Sequence, residues 1–224
     1  MRLVECVPNI SEGRRKEVIE SIANEIRAIP RVTLLDVESN ADHNRSVITF
    51  VGEPGPVKEA AMAAGRKAVE LIDLNHHEGE HPRMGAVDVV PFVPVSGATM
   101  EDCVALARQF GQEFAEQLHV PVFLYEEAAT TQDRQNLADV RAGEFEGLRD
   151  RIGRDPSRKP DFGPEKIHPT AGATAVGARE ILIAYNVNLG TSDLNIAKKI
   201  ARELRSMEGG LAYVKALGFE LQER

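Results

Sequence analysis

Apolar and polar positions alternate with two different periods along residues 1–125, which predicts helices and strands in turn. Three stretches carry apolar residues at every third or fourth position, as expected for helices that pack by one face. Short β-branched and apolar runs lie between them and predict strands. The predicted strands are 3–7, 32–37, 47–51, 87–95 and 121–125, and the apolar helix faces run over 18–29, 57–72 and 103–118.

Local signals mark the ends of these elements. Ser11 is a candidate N-cap for the first helix, and Thr99 with Asp102 resembles a capping box for the third. Pro91 and Pro94 interrupt the fourth strand, and proline cannot donate a backbone hydrogen bond to a neighbouring strand. We therefore expect this strand at an edge or a bend of the sheet.

The order of the predicted elements determines the fold class. It reads strand, helix, strand, strand, helix, strand, followed by one more helix and strand. The first six elements match the βαββαβ arrangement of ferredoxin-like domains. The sequence therefore predicts an α+β fold, a ferredoxin-like βαββαβ subdomain with an extra αβ.

The pattern weakens after this region and returns near the end of the chain. Residues 136–145 are predicted to be helical, and 149–163 to form a loop. The stretch 181–189 alternates like a strand, an amphipathic helix follows at 196–204, and 211–221 is predicted to be a further strand.

This last part predicts the opening βαβ of a second ferredoxin-like subdomain. We expect an N-terminal subdomain at 1–177 and the beginning of a C-terminal subdomain at 178–224, which stops before its elements are complete. Such a subdomain leaves a sheet edge and an apolar helix face uncovered, so dimerisation or instability is expected.

Composition narrows the class of protein. The 224 residues carry a net charge of −8 and the sequence pI is about 5.4, which argues against a nucleic-acid footprint. A charge near the N-terminus argues against a signal peptide, and no apolar run is long enough for a membrane span. Cys6 and Cys103 are too few for a disulfide framework. We expect a cytoplasmic protein with reduced thiols that binds neither nucleic acid nor membranes.

Candidate chemistry is concentrated at residues 76–86, between the second predicted helix and the fourth strand. His81 precedes Pro82, which holds its backbone in an extended conformation. A titratable imidazole is the usual general acid or base near neutral pH. Two other interpretations stay open: a metal site, although no zinc spacing is present, and a solvated helix end for His76 and His77.

Two further polar segments offer candidate binding residues. The loop 40–45, with Asn44 and Arg45, is either an ordinary hairpin loop or part of a substrate site. The basic run at 149–166 is either solvated or clamps an anionic ligand, since guanidinium groups match carboxylates. Residues 172–177 lack the strand and the lysine of a phosphate-binding loop.

Five motifs resemble those of the glutamate formimidoyltransferase family and keep the family's order along the whole chain. Each motif is weak by itself, but together they are highly specific. The motifs are Val4-Glu5-Cys6-Val7-Pro8-Asn9 with Ser11-Glu12-Gly13, Gly79-Glu80-His81-Pro82-Arg83-Met84-Gly85-Ala86 with Asp88, Arg141-Ala142-Gly143-Glu144, Pro160-Asp161-Phe162-Gly163-Pro164, and Gly172-Ala173-Thr174-Ala175 with Gly177-Ala178-Arg179.

The resemblance implies an enzyme that transfers a formimidoyl group between N-formimidoyl-L-glutamate and tetrahydrofolate in histidine degradation. It implies tetrahydrofolate as co-substrate, no metal, a homodimer, and an active site between two ferredoxin-like subdomains. Attack of an amine on the amidine carbon needs removal and delivery of a proton, which one imidazole can supply. Because both substrates are anionic, an acidic protein must focus positive charge locally.

The resemblance and the residue chemistry together imply roles for individual side chains. His81 is the expected catalytic histidine, with Glu38 as a candidate partner of its imidazole and Arg83 as a further catalytic candidate. The candidate substrate-binding residues are Asn44, Arg45 and Glu80. The expected folate-binding residues are Gly163, Pro164, Glu165, Lys166, Ile167, His168, Pro169, Thr170, Ala171 and Gly172.

A function of a different class stays open. Ferredoxin-like domains often serve as small-molecule binding modules, and a fold does not determine a function. With a truncated second subdomain, the chain could bind folate or another small molecule without turnover.

Overall fold

The computed structural model describes residues 1–183, 185–205 and 209–220. Contacts divide the chain into two units, Met1–Ile181 and Leu182–Arg224. The first unit contains every residue for which the sequence predicts a role in the site.

The elements of the described residues follow the predicted order through the extra helix and strand, except for a short unpredicted strand at Asn9–Ile10. The strands are β1 Leu3–Cys6, β2 Asn9–Ile10, β3 Val32–Asn40, β4 Arg45–Gly52, β5 Val87–Ser96, β6 Val122–Glu126 and β7 Thr174–Ala178. The helices are α1 Lys16–Arg27, α2 Pro54–Leu71, α3 Met100–Leu118, α4 Leu137–Val140, α5 Glu144–Arg151 and α6 Leu194–Leu204. The predicted α+β class is confirmed, and the ferredoxin-like assignment of the first six elements stays a prediction.

The seven strands form one sheet. β1 and β2 lie end to end, and both pair antiparallel with β4 on one side and β5 on the other. β3 pairs antiparallel with the outer side of β4. β7 pairs parallel with β5, and β6 pairs parallel with β7. The sheet is therefore antiparallel on one side of β5 and parallel on the other.

Helices α1, α2 and α3 cover one face of the sheet. Their apolar stripes are the predicted ones, and Ile22, Ala60 and Phe110 are fully buried. Along β4, Ile48 and Phe50 are also fully buried, while the alternate residues stay partly exposed. Because successive side chains of a strand point to opposite faces, the alternate residues of β4 face away from these helices.

Hydrogen bonds at the helix ends confirm one predicted cap and contradict another. Thr99 Oγ1 accepts from Asp102 N at 3.2 Å, and Asp102 Oδ2 accepts from Thr99 N at 3.0 Å, so the capping box is confirmed. The prediction that Ser11 caps α1 is wrong. The helix begins at Lys16, and the Ser11 hydroxyl donates instead to the Gly85 carbonyl at 2.7 Å.

Strand β5 lies inside the sheet, so the edge position inferred from Pro91 and Pro94 is wrong. The reason is β7, which pairs with its other side and which the sequence did not predict. Small residues make Thr174–Ala178 a weak strand signal, yet the packing requires them. A Cβ atom at Gly177 would lie 2.6 Å from the ring of Tyr125.

Residues 127–161 leave the sheet after β6 and return over it. The Arg134 guanidinium lies 5.2 Å from the centre of the Phe123 ring of β6, on the face opposite α3. The single helix predicted at 136–145 is divided into α4 and α5, because Gly143 between them has φ +89°. α5 also extends into the region predicted as a loop.

The second unit contains α6, which confirms the predicted amphipathic helix. The described residues of the two predicted strands, 181–183, 185–189 and 211–220, lie outside any strand. A strand needs a neighbour to satisfy its backbone groups, and no described strand pairs with these residues. Ala184 and Leu221, which belong to those predictions, lie outside the described residues.

In the part of the chain that the structure describes, no helix is long and apolar enough to cross a membrane.

Candidate functional site

Residues 72–86, here called the connector, run from the end of α2 to β5 and carry His81. The connector pairs with residues 168–173 near both of its ends. Leu74 and Ala86 donate backbone hydrogen bonds of 2.8 and 2.9 Å to that segment. The pairing holds an otherwise irregular stretch of chain in one place beside the sheet.

Two glycines allow the connector to approach its neighbours closely. A Cβ atom at Gly85 would lie 1.9 Å from the Ala173 carbonyl oxygen, and one at Gly79 would lie 2.4 Å from the His43 carbonyl oxygen. Both contacts are with backbone atoms, which cannot move aside cheaply. The glycines are therefore required for close backbone packing on either side of the imidazole.

His81 lies beside Arg45, the first residue of β4. Arg45 Nη1 is 2.9 Å from His81 Nε2 and 3.1 Å from Asn9 Oδ1 on β2. A guanidinium group only donates hydrogen bonds, so His81 Nε2 accepts and carries no proton. The imidazole is therefore neutral, with its proton on Nδ1. The ring of His43 stands edge-on to it, with 6.0 Å between the ring centres.

The surroundings of His81 strongly favour this neutral form. Burial, followed by the charges of Arg45 and Arg141 and then of His43, lowers the pKa of His81 to about 3. At neutral pH the imidazole is thus in its neutral form, with a single ring proton. It is also a weak base in this state, because the cations that keep it neutral oppose its protonation.

A β-bulge in β5 brings a buried carboxylate to the same place. Asn9 pairs with Val89, whereas the residue after Asn9 pairs with Val87. Asp88 is therefore the extra residue of the bulge, an irregularity that redirects a side chain. Its carboxylate, 1% exposed, forms an ion pair with Arg141 from the loop after α4. The bulge thus anchors a second guanidinium group near the imidazole.

Arg83 is engaged by the protein at all five of its N–H donors. Nη1 donates to Glu144 and Glu146 at 3.0 and 2.8 Å, and Nη2 donates to Glu146 at 2.7 Å. Nη2 also lies 3.4 Å from the His77 carbonyl oxygen, and Nε donates to His77 Nδ1 at 3.2 Å. The hydrogen bond that Arg83 donates to Glu146 is the largest cause of the raised pKa of Arg83. Arg83 therefore ties the connector to α5.

His76 and His77 have different environments. His76 is exposed at the end of a short 3₁₀ turn, as the interpretation of a solvated helix end requires. His77 is buried, with Nε2 donating to the Asn44 carbonyl at 2.8 Å and Nδ1 accepting from Arg83. The interpretation of His77 as a solvated side chain is wrong, because both ring nitrogens are bonded inside the protein.

Asn44 and Glu80 lie in the two loops that flank the imidazole. The amide of Asn44 accepts from Gly13 N at 2.9 Å and donates to the Glu78 carbonyl at 3.0 Å. Glu80 is exposed, and its backbone N–H donates to the Asp42 carbonyl at 3.0 Å. Asn44 thus joins three segments of backbone, while the carboxylate of Glu80 is open to solvent.

Glu38 lies on β3 opposite Val47 of β4, so it shares the sheet face of Arg45. Its side chain is exposed. Burial and the charge of Arg141 lower the pKa of Arg45, and the nearby carboxylates, Glu38 among them, act in the opposite direction. In the described residues Glu38 makes no hydrogen bond with His81, so the structure brings it to the arginine rather than to the imidazole.

The predicted folate-binding residues 163–172 form a loop that reaches the connector only at its C-terminal end. His168 Nδ1 accepts from Ala171 N at 2.9 Å, and the backbone of His168 pairs with Gly172. Burial and then the charge of His119, at the end of α3, lower the pKa of His168. The His168 side of the loop therefore lies toward the end of α3, and Ala171 and Gly172 lie against the connector.

The basic run at 149–166 is bonded locally. Arg151 pairs with Asp155 at 2.5 Å, and Arg158 donates to three backbone carbonyl groups around the end of α4. Because their side chains are bonded within the protein, these contacts argue against an anion clamp at Arg151 and Arg158. Among the described residues no group of three or more His, Cys, Asp or Glu side chains is arranged to hold a metal ion.

Sequence reasoning missed several members of the cluster around His81. Asn9, Asp88 and Arg141 were not assigned a role, although each lies in or beside one of the motifs on which the resemblance rests. That coincidence is the signal that could have found them. His43 belongs to the polar loop 40–45, and its proximity to the imidazole depends on the pairing of β3 with β4.

Comparisons with known proteins agree with the motifs. Residues 3–179 match the family model of the formiminotransferase domain, N-terminal subdomain. The glutamate formimidoyltransferases of Streptococcus pyogenes and Thermoplasma acidophilum are both 49% identical to this chain; each match covers 100% of it and 74% of the relative. The formimidoyltransferase-cyclodeaminase of Sus scrofa is 49% identical over 100% of this chain and 42% of its own length.

Proposed function

Since the chain belongs to the formiminotransferase family, we propose that it transfers a formimidoyl group between N-formimidoyl-L-glutamate and tetrahydrofolate, with His81 moving the protons. Relatives named glutamate formimidoyltransferase match it along its whole length. The observation that carries the role of His81 is its neutral imidazole, whose Nε2 is unprotonated and hydrogen-bonded by Arg45.

The reaction needs one group that takes a proton and returns it. The N5 amine of tetrahydrofolate attacks the amidine carbon and loses its proton to His81 Nε2. The tetrahedral intermediate then releases the glutamate nitrogen, which takes the proton from the same atom. One C–N bond forms and one breaks, and the imidazole ends neutral as it began.

The arrangement of charge suits an anionic donor. The chain has a net charge of −8, but Arg45 and Arg141 both act on the imidazole. A local concentration of cations in an acidic protein attracts carboxylates to that place. We therefore propose Arg45 as a substrate-binding residue and place the exposed Glu80 at the rim of the site.

The other predicted residues receive roles that agree with their contacts. We propose that residues 163–172 bind tetrahydrofolate as co-substrate, with Ala171 and Gly172 nearest the connector. We propose that Arg83 and Asn44 position the connector, because their donors and acceptors are engaged by protein groups. Glu38 is proposed as a partner of Arg45, through which it acts on the imidazole.

Replacement of His81 tests the transfer mechanism. The His81→Ala protein should lose about 10²- to 10⁴-fold in transfer rate, as expected when a general acid–base is removed. It should bind a 5-substituted folate analogue within about threefold of wild type. His76→Ala is the matched control, since His76 is an exposed imidazole of the same connector. Transfer at the wild-type rate by His81→Ala would exclude the assignment.

Transfer is favoured over a binding module without turnover. A site that only bound folate would gain nothing from a half-buried, neutral imidazole beside two arginines, because imidazole is chiefly useful for moving protons. We also propose, from the family resemblance alone, a homodimer in the cytoplasm. Light scattering of the purified protein measures its oligomeric state, and cell fractionation measures its location.

A further inference from the structure

We propose that Arg45 and Arg141 together bind the α-carboxylate of the formimidoyl donor, and that this contact releases His81 Nε2 to act as the base. The inference rests on the proposed transfer function and deepens it. It adds Arg141 to the site and assigns a particular carboxylate of the donor to the two arginines.

The two guanidinium groups are anchored on neighbouring positions of the sheet. Arg45 donates to Asn9, and Arg141 is paired with Asp88. Asn9 pairs across the sheet with Val89, the residue after Asp88. Both anchors are therefore adjacent, and both guanidinium groups are held on the side of the sheet where His81 lies.

Each of these arginines has a buried donor without a partner. Arg45 Nε and Arg141 Nε are enclosed by the protein and make no hydrogen bond in the described residues. Arg83, which we regard as structural, has all five donors engaged. Buried N–H groups on a cation are costly when left unpaired, and a carboxylate presents the planar pair of oxygens to which a guanidinium fork donates.

The charge of Arg45 is also incompletely matched. Its direct partners, Asn9 and His81, are both neutral, and no ion pair of Arg45 is present in the described part of the chain. The carboxylates that act on it are Asp88, already paired with Arg141, and the exposed Glu38. A carboxylate in direct contact with Arg45 would therefore supply the ion pair that the described residues do not give it.

Distance selects the α-carboxylate over the γ-carboxylate of the donor. The nitrogen that leaves in the reaction is bonded to the carbon that carries the α-carboxylate, whereas two more methylene groups separate the γ-carboxylate. His81 Nε2 must reach that nitrogen, and Arg45 Nη1 lies only 2.9 Å from Nε2. A carboxylate that contacts Arg45 is therefore the one next to the reacting nitrogen.

Binding of this carboxylate would change the hydrogen bonding and the basicity of the His81 imidazole. In the structure the lone pair of His81 Nε2 accepts a hydrogen bond from Arg45. A charged carboxylate is a stronger acceptor for a guanidinium than a neutral imidazole. It would take the Arg45 donor and offset both cations, so Nε2 becomes available and its basicity rises. The group that identifies the donor thus also prepares the base.

The test compares three compounds by calorimetric titration at neutral pH. They are N-formimidoyl-L-glutamate, 4-(formimidoylamino)butanoate, which lacks the α-carboxylate, and 2-(formimidoylamino)butanoate, which lacks the γ-carboxylate. In wild type, loss of the α-carboxylate should weaken binding by about 10- to 100-fold, as expected for charge-assisted hydrogen bonds. Arg141→Gln should weaken binding of the full donor by a similar factor and leave binding of 4-(formimidoylamino)butanoate unchanged.

Two further variants separate recognition from folding. Arg141→Lys keeps a positive charge beside the buried Asp88 but loses the guanidinium fork. It should therefore fold, yet bind the full donor less tightly than wild type does. Arg154→Gln is the matched control, an exposed arginine after α5, and should bind all three compounds as wild type does. Equal weakening of all three compounds by Arg141→Gln, or insensitivity of wild type to loss of the α-carboxylate, would overturn the proposal.

Nuclear magnetic resonance of the His81 ring supplies a second measurement. The full donor should raise the pKa of His81, which faces Arg45, Arg141 and His43, while the compound without the α-carboxylate should not. An unchanged pKa with the full donor bound would refute the release of Nε2. A wild-type protein that binds as expected but transfers nothing to tetrahydrofolate would refute the proposed function and leave the carboxylate assignment standing.

Discussion

The protonation state of His81 is a property of its neighbours. Arg45 occupies Nε2, and together with burial the charges of Arg45, Arg141 and His43 lower the pKa of the ring to about 3. With His81 itself, these residues come from three separate segments of chain. An imidazole in such surroundings is neutral and unprotonated at Nε2. Its basicity depends on whether the two guanidinium groups are offset by an anion.

We expect protonation of His81 to destabilise the fold in acid. Because folding lowers its pKa to about 3, the unfolded chain binds more protons than the folded one between about pH 6.5 and 3. The free energy of unfolding therefore falls as the pH falls through that window. His81→Gln keeps an acceptor for Arg45 but removes the titration, so its free energy of unfolding should fall less steeply. Urea unfolding at a series of pH values measures the slope.

The slope of the variant should be smaller but not zero. Burial also lowers the pKa values of His43, His77 and His168, which add dependence of the same sign. His76→Gln replaces an exposed imidazole of the same connector and serves as the control. If His81→Gln and His76→Gln showed the same slope as wild type, the neutral state of His81 in the folded protein would be refuted.

At the scale of elements, the connector depends on contacts with residues distant in the sequence. Its ends pair with residues 168–173, Arg83 binds it to α5, and Ser11 bonds to its Gly85 carbonyl. Secondary structure of its own contributes only the short turn at Leu74–His76. The position of the imidazole is therefore determined by three other segments that surround the connector.

Gly85→Ala should disrupt this arrangement. A Cβ atom there would lie 1.9 Å from the Ala173 carbonyl oxygen, so the backbone must shift. We expect a loss on the order of 3 kcal/mol in the free energy of unfolding, together with reduced transfer. Gly55→Ala is the control: no atom lies within 4 Å of its Cβ position in the first turn of α2, so its free energy of unfolding should stay within about 0.5 kcal/mol of wild type. Equal stabilities measured by urea unfolding would contradict the packing argument.

At the scale of the whole molecule, an acidic chain gathers two cations around one neutral imidazole. The net charge of −8 repels anions from most of the molecule, whereas Arg45 and Arg141 concentrate positive charge beside His81. All groups of this cluster belong to the unit Met1–Ile181. The hydrophobic core cluster that supports them lies in the same unit.

The division into units predicts how the chain unfolds. A protein of residues 1–181 should unfold cooperatively, because it retains the complete sheet and helices α1–α5. Its free energy of unfolding should show the same dependence on pH as the 224-residue chain, since His81, Arg45 and Arg141 are all present. Circular dichroism during urea unfolding measures both properties. A fragment without a cooperative transition would show that the first unit depends on the second.

Much of the first unit could be predicted from periodicity. The stripes of α1, α2 and α3 and the strands β1, β3, β4, β5 and β6 are local patterns of apolar and β-branched residues. Strand β7 escaped prediction because its small residues are selected by close packing against Tyr125 rather than by strand propensity. The predicted edge position of β5 was wrong because β7, its second partner in the sheet, was not predicted.

By itself the sequence determined the α+β class, the helices with their buried faces, the resemblance and the choice of His81. These follow from local patterns and from motifs that can be read along the chain. Only the tertiary structure decided the Nε2 acceptor state of His81, the burial of His77, and the meeting of Arg45 with Arg141. Each of these depends on contacts between residues that are distant in the sequence. Such contacts place the proton of His81, bury the side chain of His77, and form the β-bulge at Asp88.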